Sequence, residues 1–324
     1  MAIQPLSATL EKALSGLRAS QSGIDIVGRN LANVNTPGYT RKFQNLQPNT
    51  NGGDGFGVEQ LPESRYVDRG LEKQFRENYS ANEKLKVLDD FLSRFEDTFG
   101  APNQDINIAY QITKLSDTFR ALAEKPDSVT AQNGVIAQAQ QVVTTLNQLT
   151  TAIQDLRSEA DRQIAVSVTA VNNAVVRVNE LNDEIGTRVA QGLSVGDLED
   201  LRDVEVEKIA REMDITYFTR GNNQLVILTG AGRSLLEGPP QSLSFTTINV
   251  LSASSFYPGG GVNGITLNGT DITAEFLEGR IGAYIELRDT RFSSTVGGSG
   301  AQSTIDLYRG TVVRQFAAPV TLPI

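Results

Sequence analysis

The first forty residues carry a seven-residue repeat of apolar side chains that ends abruptly at a proline. The first row of this repeat consists of Leu10, Leu17, Ile24 and Leu31. A companion row with the same spacing consists of Leu6, Ala13, Ser20, Val27 and Val34. Heptad rows of this kind bury one side of a helix against another helix. At 1.5 Å per residue, the pattern predicts a helix roughly 40 Å long that requires a helical partner.

The predicted helix ends in a segment rich in asparagine, which contains Asn30, Asn33, Asn35, Thr36, Pro37, Gly38 and Tyr39. Because a proline disfavours helical geometry in the residue before it, we expect the helix to end ahead of Pro37. Pro37 and Gly38 suit the two central positions of a type II turn. The asparagines fit two roles equally well. They hydrogen-bond backbone groups where the helix ends, or they serve as plain C-terminal caps.

The residue types that most catalytic and metal sites require are missing from this chain. Among its 324 residues there is no cysteine and no histidine, which removes the commonest zinc ligands and the usual base of serine or cysteine nucleophiles. The net charge of −9 argues against nucleic-acid binding, and no apolar run approaches the ~18 residues of a membrane span. We therefore expect a protein that is not an enzyme, has no cofactor or metal, and has neither nucleic acid nor membrane as a partner.

The rest of the chain divides into a long helical part and a shorter part with strand signals. Residues 71–213 have helical periodicity, and residues 128–190 predict one very long helix that no proline interrupts. From Ile215 to about Ile281, short apolar runs alternate with Gly, Asn and Pro, and residues 215–228 read as a β-hairpin. We predict a mainly α fold: a long-helix rod or coiled-coil-like bundle, with a small β-rich domain inserted near the C-terminal end.

These patterns divide the chain into four predicted segments. They are an N-terminal coiled-coil segment and loop at 1–60, a long-helix rod domain at 61–213, a small β-rich domain at 214–290 and an atypical tail at 291–324. The glycines between Gly52 and Gly57 predict a tight loop. A phosphate-binding loop is disfavoured there because no Gly-Lys-Ser/Thr follows.

The N-terminal helix and its terminator resemble the signature of bacterial flagellar axial proteins, which include rod, hook and hook-associated proteins. The matching residues are Ser15-Gly16-Leu17, Ala19, Gln21, Asp25 and the whole of Asn30–Tyr39. Three later segments are similar to the family of flagellar hook-associated protein 1: Arg65–Arg76, Asp197–Asp203 and Gly279–Asp289. For the first of these, the resemblance implies a short strand that leads into a helix.

This resemblance implies a structural subunit at the hook–filament junction of the bacterial flagellum. It implies self-association in a helical assembly, contacts with the hook protein and the second junction protein, and an export chaperone. The axial packing interface would be formed by eight residues of the two heptad rows: Leu6, Leu10, Ala13, Leu17, Ile24, Val27, Leu31 and Val34. The implied location is extracellular, reached by flagellar type III export. No cleavable signal peptide is expected, because no basic segment precedes an apolar core at the N-terminus.

Two alternatives remain open from the sequence. One is a different axial protein, such as a hook, rod or second junction protein, because the N-terminal motif alone does not separate these. The other is a hydrolase of cell-wall glycan, which needs two carboxylates roughly 5–10 Å apart. The densest acidic group consists of Asp197, Glu199, Asp200 and Asp203, and a helix places Glu199 and Asp203 on one face. An acidic helix start with a solvated face explains the same residues.

The end of the chain departs from the family pattern. Members of the family close with a C-terminal heptad helix, whereas no long amphipathic pattern follows Thr290 here. We expect that the protein is truncated or that its last residues come from a shifted reading frame. The N-terminal helix would then lack its intramolecular partner, and residues 1 to about 40 would be disordered or self-associating in the isolated monomer.

Overall fold

The computed structural model describes residues 6–51, 54–100, 104–105 and 107–293, and six α-helices lie within these ranges. They are α1 (Leu6–Ala32), α2 (Arg69–Phe99), α3 (Ile108–Glu124), α4 (Val129–Ala190), α5 (Gly196–Glu212) and α6 (Gly279–Glu286). The same ranges also contain a 3-10 turn at Thr273–Glu275 and a π-helical turn at Leu287–Arg291. The predicted mainly α fold is confirmed, and α4 matches the helix predicted at 128–190.

In the part of the chain that the structure describes, the strands form three small antiparallel sheets. The strands are β1 (Lys42–Asn51), β2 (Asp54–Arg65), β3 (Ile215–Thr219), β4 (Leu225–Thr229), β5 (Ser234–Leu236), β6 (Leu243–Ser244), β7 (Thr266–Leu267) and β8 (Thr270–Asp271). The sheets have the orders β1-β2, β3-β4-β5 and β6-β7-β8. The hairpin predicted at residues 215–228 is present as β3 and β4, with Ile215 opposite Thr229.

The long hairpin β1–β2 differs from the short strand that the family resemblance implies. Lys42 pairs with Arg65 at its base, and Asn51 pairs with Asp54 at its tip. The register shifts between Phe43 and Asn45, which breaks the apolar alternation by which a strand is usually detected. The residue pattern itself therefore predicts only the tight loop at the glycines, although the flanking segments Lys42–Asn51 and Asp54–Arg65 pair as a hairpin.

The described chain forms two compact units, whose limits fall within α2 and α4. The first unit contains the chain up to Tyr79 and residues 170–242. In this unit, α1 lies on the β1–β2 hairpin. Asn182 of α4 joins the helix to the β3–β5 sheet: its side-chain N–H₂ donates to the Leu225 carbonyl, and its side-chain oxygen accepts from the Leu225 backbone N–H. In the structure α1 is helical from Leu6, and Ala19 and Ile26 are buried on its hairpin side. The expectation that residues 1 to about 40 are disordered or self-associating in the isolated monomer stays a prediction.

Of the described residues, the second unit contains those in the ranges 80–169 and 243–293. Aromatic contacts join its helices: the Phe91 ring lies 5.9 Å from that of Tyr284, and the Phe95 ring lies 5.2 Å from that of Phe292. Phe292 is one of its most buried side chains, although the sequence places residue 291 at the start of an atypical tail. The remainder of that tail, 294–324, lies outside the described residues. The predicted domain limits at 60, 213 and 290 stay a prediction.

Candidate assembly surface

The first heptad row of α1 is exposed to solvent along its whole length. Leu10, Leu17, Ile24 and Leu31 are between 66% and 73% exposed. In the companion row, Ala13, Ser20, Val27 and Val34 are also exposed, and the side chain of Leu6 lies outside the described residues. The two rows together are called the α1 stripe. Contiguous exposed patches of large apolar side chains are typical of surfaces that bind another molecule, so the α1 stripe is a candidate for such a surface.

The opposite side of α1 holds the helix in place. The Ser15 hydroxyl accepts a hydrogen bond from the Val58 backbone N–H at 3.1 Å, which joins the middle of the helix to β2. Ile26 is only 3% exposed beneath the hairpin. The helix is therefore fixed through one face and presents the α1 stripe on another. Burying each aliphatic side chain of the stripe in an assembly is worth about 1.5–3 kcal/mol.

A groove continues the stripe at the C-terminal end of α1. It has a volume of about 600 Å³. Val27, Leu31 and Val34 line it on the helix side, and Tyr39 and Phe43 line it on the side of the following segment. The groove is mainly apolar and open, which suits the side chains of a second helix better than a polar ligand.

Asn30 joins the end of α1 to the start of β1. Its side-chain oxygen accepts hydrogen bonds from the Tyr39 hydroxyl at 2.9 Å and from the Lys42 backbone N–H at 3.0 Å. Its side-chain N–H₂ donates to the Lys42 carbonyl at 2.9 Å. The asparagine therefore satisfies both backbone groups of one strand residue, which is a tertiary role rather than a helix cap.

The other motif residues shape the turn itself. Asn33 donates from its side chain to the Arg29 carbonyl at 3.0 Å, and the Thr36 hydroxyl donates to the Asn33 side-chain oxygen at 3.2 Å. Gly38 has a φ of +80°, and a Cβ at this position would lie 2.4 Å from a Val204 methyl carbon. Asn35 and Pro37 are exposed. Asn33 thus caps the helix, while Gly38 is required by both its backbone conformation and its close approach to α5.

A buried ionic cluster attaches this turn and the hairpin to α5. Asp200 accepts hydrogen bonds from the Thr40 backbone N–H at 3.1 Å and from the Thr40 hydroxyl at 2.6 Å, and it forms an ion pair with Lys42. Arg65, at the end of β2, contacts Glu199 at 2.8 Å, Asp200 at 2.9 Å and Asp203 at 2.6 Å. Both strands of the hairpin are therefore bound to the same acidic helix.

Burial and hydrogen bonding act in opposite directions on the pKa values of this cluster. Burial raises the pKa of Asp200, but hydrogen bonds from Lys42, Thr40 and Arg65 outweigh it and hold the pKa below its usual value. Burial lowers the pKa of Arg65, but its contacts with Asp203, Asp200 and Glu199 raise it above the ordinary arginine value. A carboxyl that donates a proton in catalysis needs a raised pKa, whereas the pKa of Asp200 is lowered.

The cluster fits an ion-pair network better than the hydrolytic pair that the acidic residues allow in principle. A glycan hydrolase needs one carboxyl that donates a proton and a second that faces the substrate. Here Glu199, Asp200 and Asp203 all bind the guanidinium of Arg65. Asp203 also contacts Arg76 at 3.2 Å, and Asp197 contacts Lys42 at 2.9 Å.

Sequence reasoning missed the cationic side of this cluster. Lys42 is 2% exposed and Arg76 is 6% exposed, so both are buried charges that need partners. The Arg76 guanidinium also lies 4.6 Å from the centre of the Tyr217 ring. Nothing in the local pattern signals these contacts, because Thr40 and Asp200 are 160 positions apart.

The described residues contain neither a membrane-spanning helix nor a metal-binding cluster. Within these ranges, no helix has the length and apolar character needed to cross a membrane. Over the same part of the chain, no group of three or more acidic side chains is placed to hold a metal ion.

Comparison with known families gives two matches along the chain. Residues 92–301 match the family model described as the flagellar hook-associated protein FlgK helical domain. Residues 10–40, which contain most of the α1 stripe, match the model described as flagella basal body rod protein.

Individual relatives agree with the family models. The chain is 26% identical over 304 residues to flagellar hook-associated protein 1 of Bacillus subtilis (strain 168). This alignment covers 86% of this chain and 59% of the relative. It is 26% identical over 244 residues to the protein of the same name from Salmonella typhimurium, covering 72% of this chain and 43% of the relative. The chain thus spans about three fifths or less of the curated relatives that it matches.

The fold is similar to that of a solved structure described as the flagellar hook junction protein FlgK from Burkholderia pseudomallei. The TM-score is 0.57 at 18% sequence identity, and the similarity covers 68% of this chain and 39% of that chain. At this identity the likeness concerns the fold.

Proposed function

The chain belongs to the flagellar hook-associated protein 1 family, and from this premise we propose that it is a structural subunit of the hook–filament junction. It acts by packing rather than by catalysis. Copies of the chain associate with one another in a helical assembly and contact the hook protein on one side and the second junction protein on the other. Its location is the flagellum outside the cell, reached through flagellar export with a chaperone and without a cleavable signal peptide.

The exposed α1 stripe is the observation that carries this proposal. The stripe presents Leu10, Leu17, Ile24 and Leu31 to solvent on a helix whose other face is held by the hairpin. A helix that is already fixed loses little conformational freedom on binding, so most of the energy of apolar burial remains available for association. A heptad row of this length fits a neighbouring helix in a subunit assembly.

The test is binding of the purified chain to isolated hooks, imaged by electron microscopy. The stripe variant carries Leu17→Ser and Ile24→Ser, and the matched control carries Arg18→Ser and Asp25→Ser at the adjacent exposed positions of the same helix. We expect binding at the distal hook end by the unmodified chain and by the control, and at least about a tenfold weaker binding by the stripe variant.

Two results would contradict the proposal in different ways. Equal binding by the stripe variant and the control would show that α1 packing is not the docking mechanism. Absence of distal binding by every form would contradict the junction role itself.

A different axial position is the second candidate, favoured by the match of residues 10–40 to the rod family. It predicts association with purified rod components in place of the hook end. The same set of variants distinguishes the two positions, because the α1 stripe would be needed in both cases but the binding partner would differ.

A further inference from the structure

A small polar cavity lies in the first compact unit, between α4 and the β3–β5 sheet. Its volume is about 260 Å³, and its walls come from α4, from the β3–β4 hairpin and from the chain at and after the end of β5. No described residue of the α1 stripe lines this cavity. The cavity is therefore separate from the assembly surface, and the proposed function does not account for it.

The apolar side of the cavity is a fixed part of the fold. Leu225, Val226 and Leu236 are at most 5% exposed. The Asn182 side chain bonds both backbone groups of Leu225, and the buried Arg202 guanidinium donates to the Asn182 side-chain oxygen at 3.0 Å. Because these contacts form the cavity before anything enters it, a ligand would bind with little cost in ordering the chain.

The polar side of the cavity holds three side chains that have no hydrogen-bond or ion-pair partner among the described residues: Asn179, Asp183 and Gln224. Asn179 and Gln224 are half-buried, and Asp183 is exposed. The Arg220 guanidinium also lines the cavity but is paired with Glu237. Each free carboxamide offers N–H donors together with an oxygen acceptor. The cavity therefore presents several donors and acceptors that the described part of the fold leaves unused.

The mixture of donors and acceptors decides which ligand chemistry fits. A simple anion only accepts hydrogen bonds and would face the carboxylate of Asp183. An ammonium group only donates, so it would leave the N–H groups of Asn179 and Gln224 without acceptors, and its ion pair with the exposed Asp183 would be worth little. An apolar ligand would cover both carboxamides without hydrogen bonds. The lining thus favours a neutral ligand whose groups both donate and accept.

We propose that the cavity binds one neutral sugar ring. Each sugar hydroxyl donates one hydrogen bond and accepts others, so neighbouring hydroxyls match the carboxamides of Asn179 and Gln224 and the carboxylate of Asp183. The exposed Pro239 ring supplies an apolar edge for the C–H face of the sugar. The cavity is slightly smaller than the roughly 300–1,000 Å³ of sites for drug-sized ligands, which suits a single ring. This binding goes beyond the proposed function and does not depend on it.

Ligand-observed saturation-transfer NMR on the full chain tests this site. The probes are the methyl glycosides of glucose, galactose and N-acetylglucosamine, which present the ring as it occurs at the end of a glycan. Acetate and butylammonium serve as anionic and cationic comparison ligands. We expect at least one glycoside to bind with a dissociation constant in the millimolar range, as fits a ligand of about a dozen non-hydrogen atoms. Its affinity should not change with salt concentration, because the ligand is uncharged.

A double substitution locates the bound glycoside. Asn179→Ala with Gln224→Ala removes the two carboxamides and should weaken binding at least about tenfold, because their hydrogen bonds to the sugar are lost. The matched control, Asn173→Ala with Gln191→Ala, removes the same two residue types from exposed positions of the same unit outside the cavity and should leave binding unchanged. Neither pair makes side-chain hydrogen bonds among the described residues, so both variants should unfold at a temperature close to that of the unmodified chain.

Three results would overturn the sugar site. The first is the absence of saturation transfer from all three glycosides at concentrations up to about 50 mM. The second is equal glycoside binding by the double variant and its control, which would place the sugar elsewhere on the chain. The third is binding of acetate or butylammonium that the double variant abolishes while no glycoside binds, which would assign the cavity to a charged ligand. Hook binding is measured separately, so failure of the sugar site leaves the junction role intact, and failure of hook binding leaves the sugar site intact.

Discussion

Two asparagines of the same motif have quite different surroundings. Asn30 uses both its oxygen and its N–H₂ group, bonding Tyr39 and both backbone groups of Lys42. Asn35 is exposed, and its side chain makes no hydrogen bond among the described residues. The same residue type at the end of one helix therefore stabilises tertiary structure in one position and remains available to solvent or to an assembly partner in the other.

Replacing Asn30 tests this difference. Asn30→Ala removes three hydrogen bonds and leaves the Lys42 backbone groups without their partner, so the free energy of unfolding should fall by about 2–3 kcal/mol. Asn35→Ala is the matched control and should change it by less than about 0.5 kcal/mol. Urea denaturation followed by circular dichroism measures both values. Equal effects of the two substitutions would contradict the tertiary role of Asn30.

Gly38 allows a second comparison, with Gly28 as its control. Gly38→Ala places a Cβ in a backbone conformation with φ of +80° and 2.4 Å from Val204, so it should destabilise the fold by more than about 1 kcal/mol. Gly28 lies within α1, where an added Cβ would meet no heavy atom within 4 Å, and Gly28→Ala should stabilise the fold by about 0.5–1 kcal/mol. The two alanines should therefore move the midpoint of urea unfolding in opposite directions.

At the scale of elements, α5 connects parts of the chain that are distant in sequence. Asp200 binds Thr40 and Lys42 from the N-terminal segment, and Arg65 from β2 adds a second connection to the same helix. Each connection involves a charged group that is largely withdrawn from water. Removing one partner would leave the other buried without its counter-charge, which is more damaging than losing an exposed ion pair.

The pH dependence of stability follows from Asp200. Its pKa is lowered in the folded state, so its contribution is complete above the ordinary aspartate pKa of about 3.9 and is lost as the pH falls through the folded value. We expect Asp200→Asn to lower the free energy of unfolding strongly at about pH 7, and we expect this difference to shrink below about pH 4. Urea titrations at several pH values measure it.

An exposed aspartate provides the control for that experiment. Asp183 lies on the surface of α4, and Asp183→Asn should change stability little at any of these pH values. A difference between the unmodified chain and Asp200→Asn that stays constant from neutral to acid pH would show that ionisation of Asp200 does not stabilise the fold.

At the scale of the whole molecule, segments distant in sequence complete each unit. In the second unit, Arg288 is fully buried and contacts Asp161 of α4 at 2.8 Å. Phe292 follows it and lies against Phe95 of α2. The end of the described chain is therefore part of the core of that unit.

Phe292→Ala tests the importance of this last segment. The substitution leaves a cavity at a position that is 1% exposed and should lower the free energy of unfolding by about 3–5 kcal/mol. Phe119→Ala removes the same side chain from an exposed position of α3 in the same unit, and should cost less than about 1 kcal/mol. Thermal unfolding by calorimetry compares them, and a small effect at Phe292 would show that the unit does not depend on this segment.

The elements with local signals can be predicted from the amino-acid sequence. The heptad rows of α1 and the uninterrupted period of α4 depend on side chains three to seven positions apart, which one helix brings together. The expected end of the first helix ahead of Pro37 is found at Ala32. The way in which these elements contact one another is visible only in the folded chain. Folding places Ile26 under the hairpin and Ile24 in solvent, and it pairs Arg65 with Glu199 across 134 positions. Such contacts depend on the folded path of the whole chain, so no local pattern encodes them.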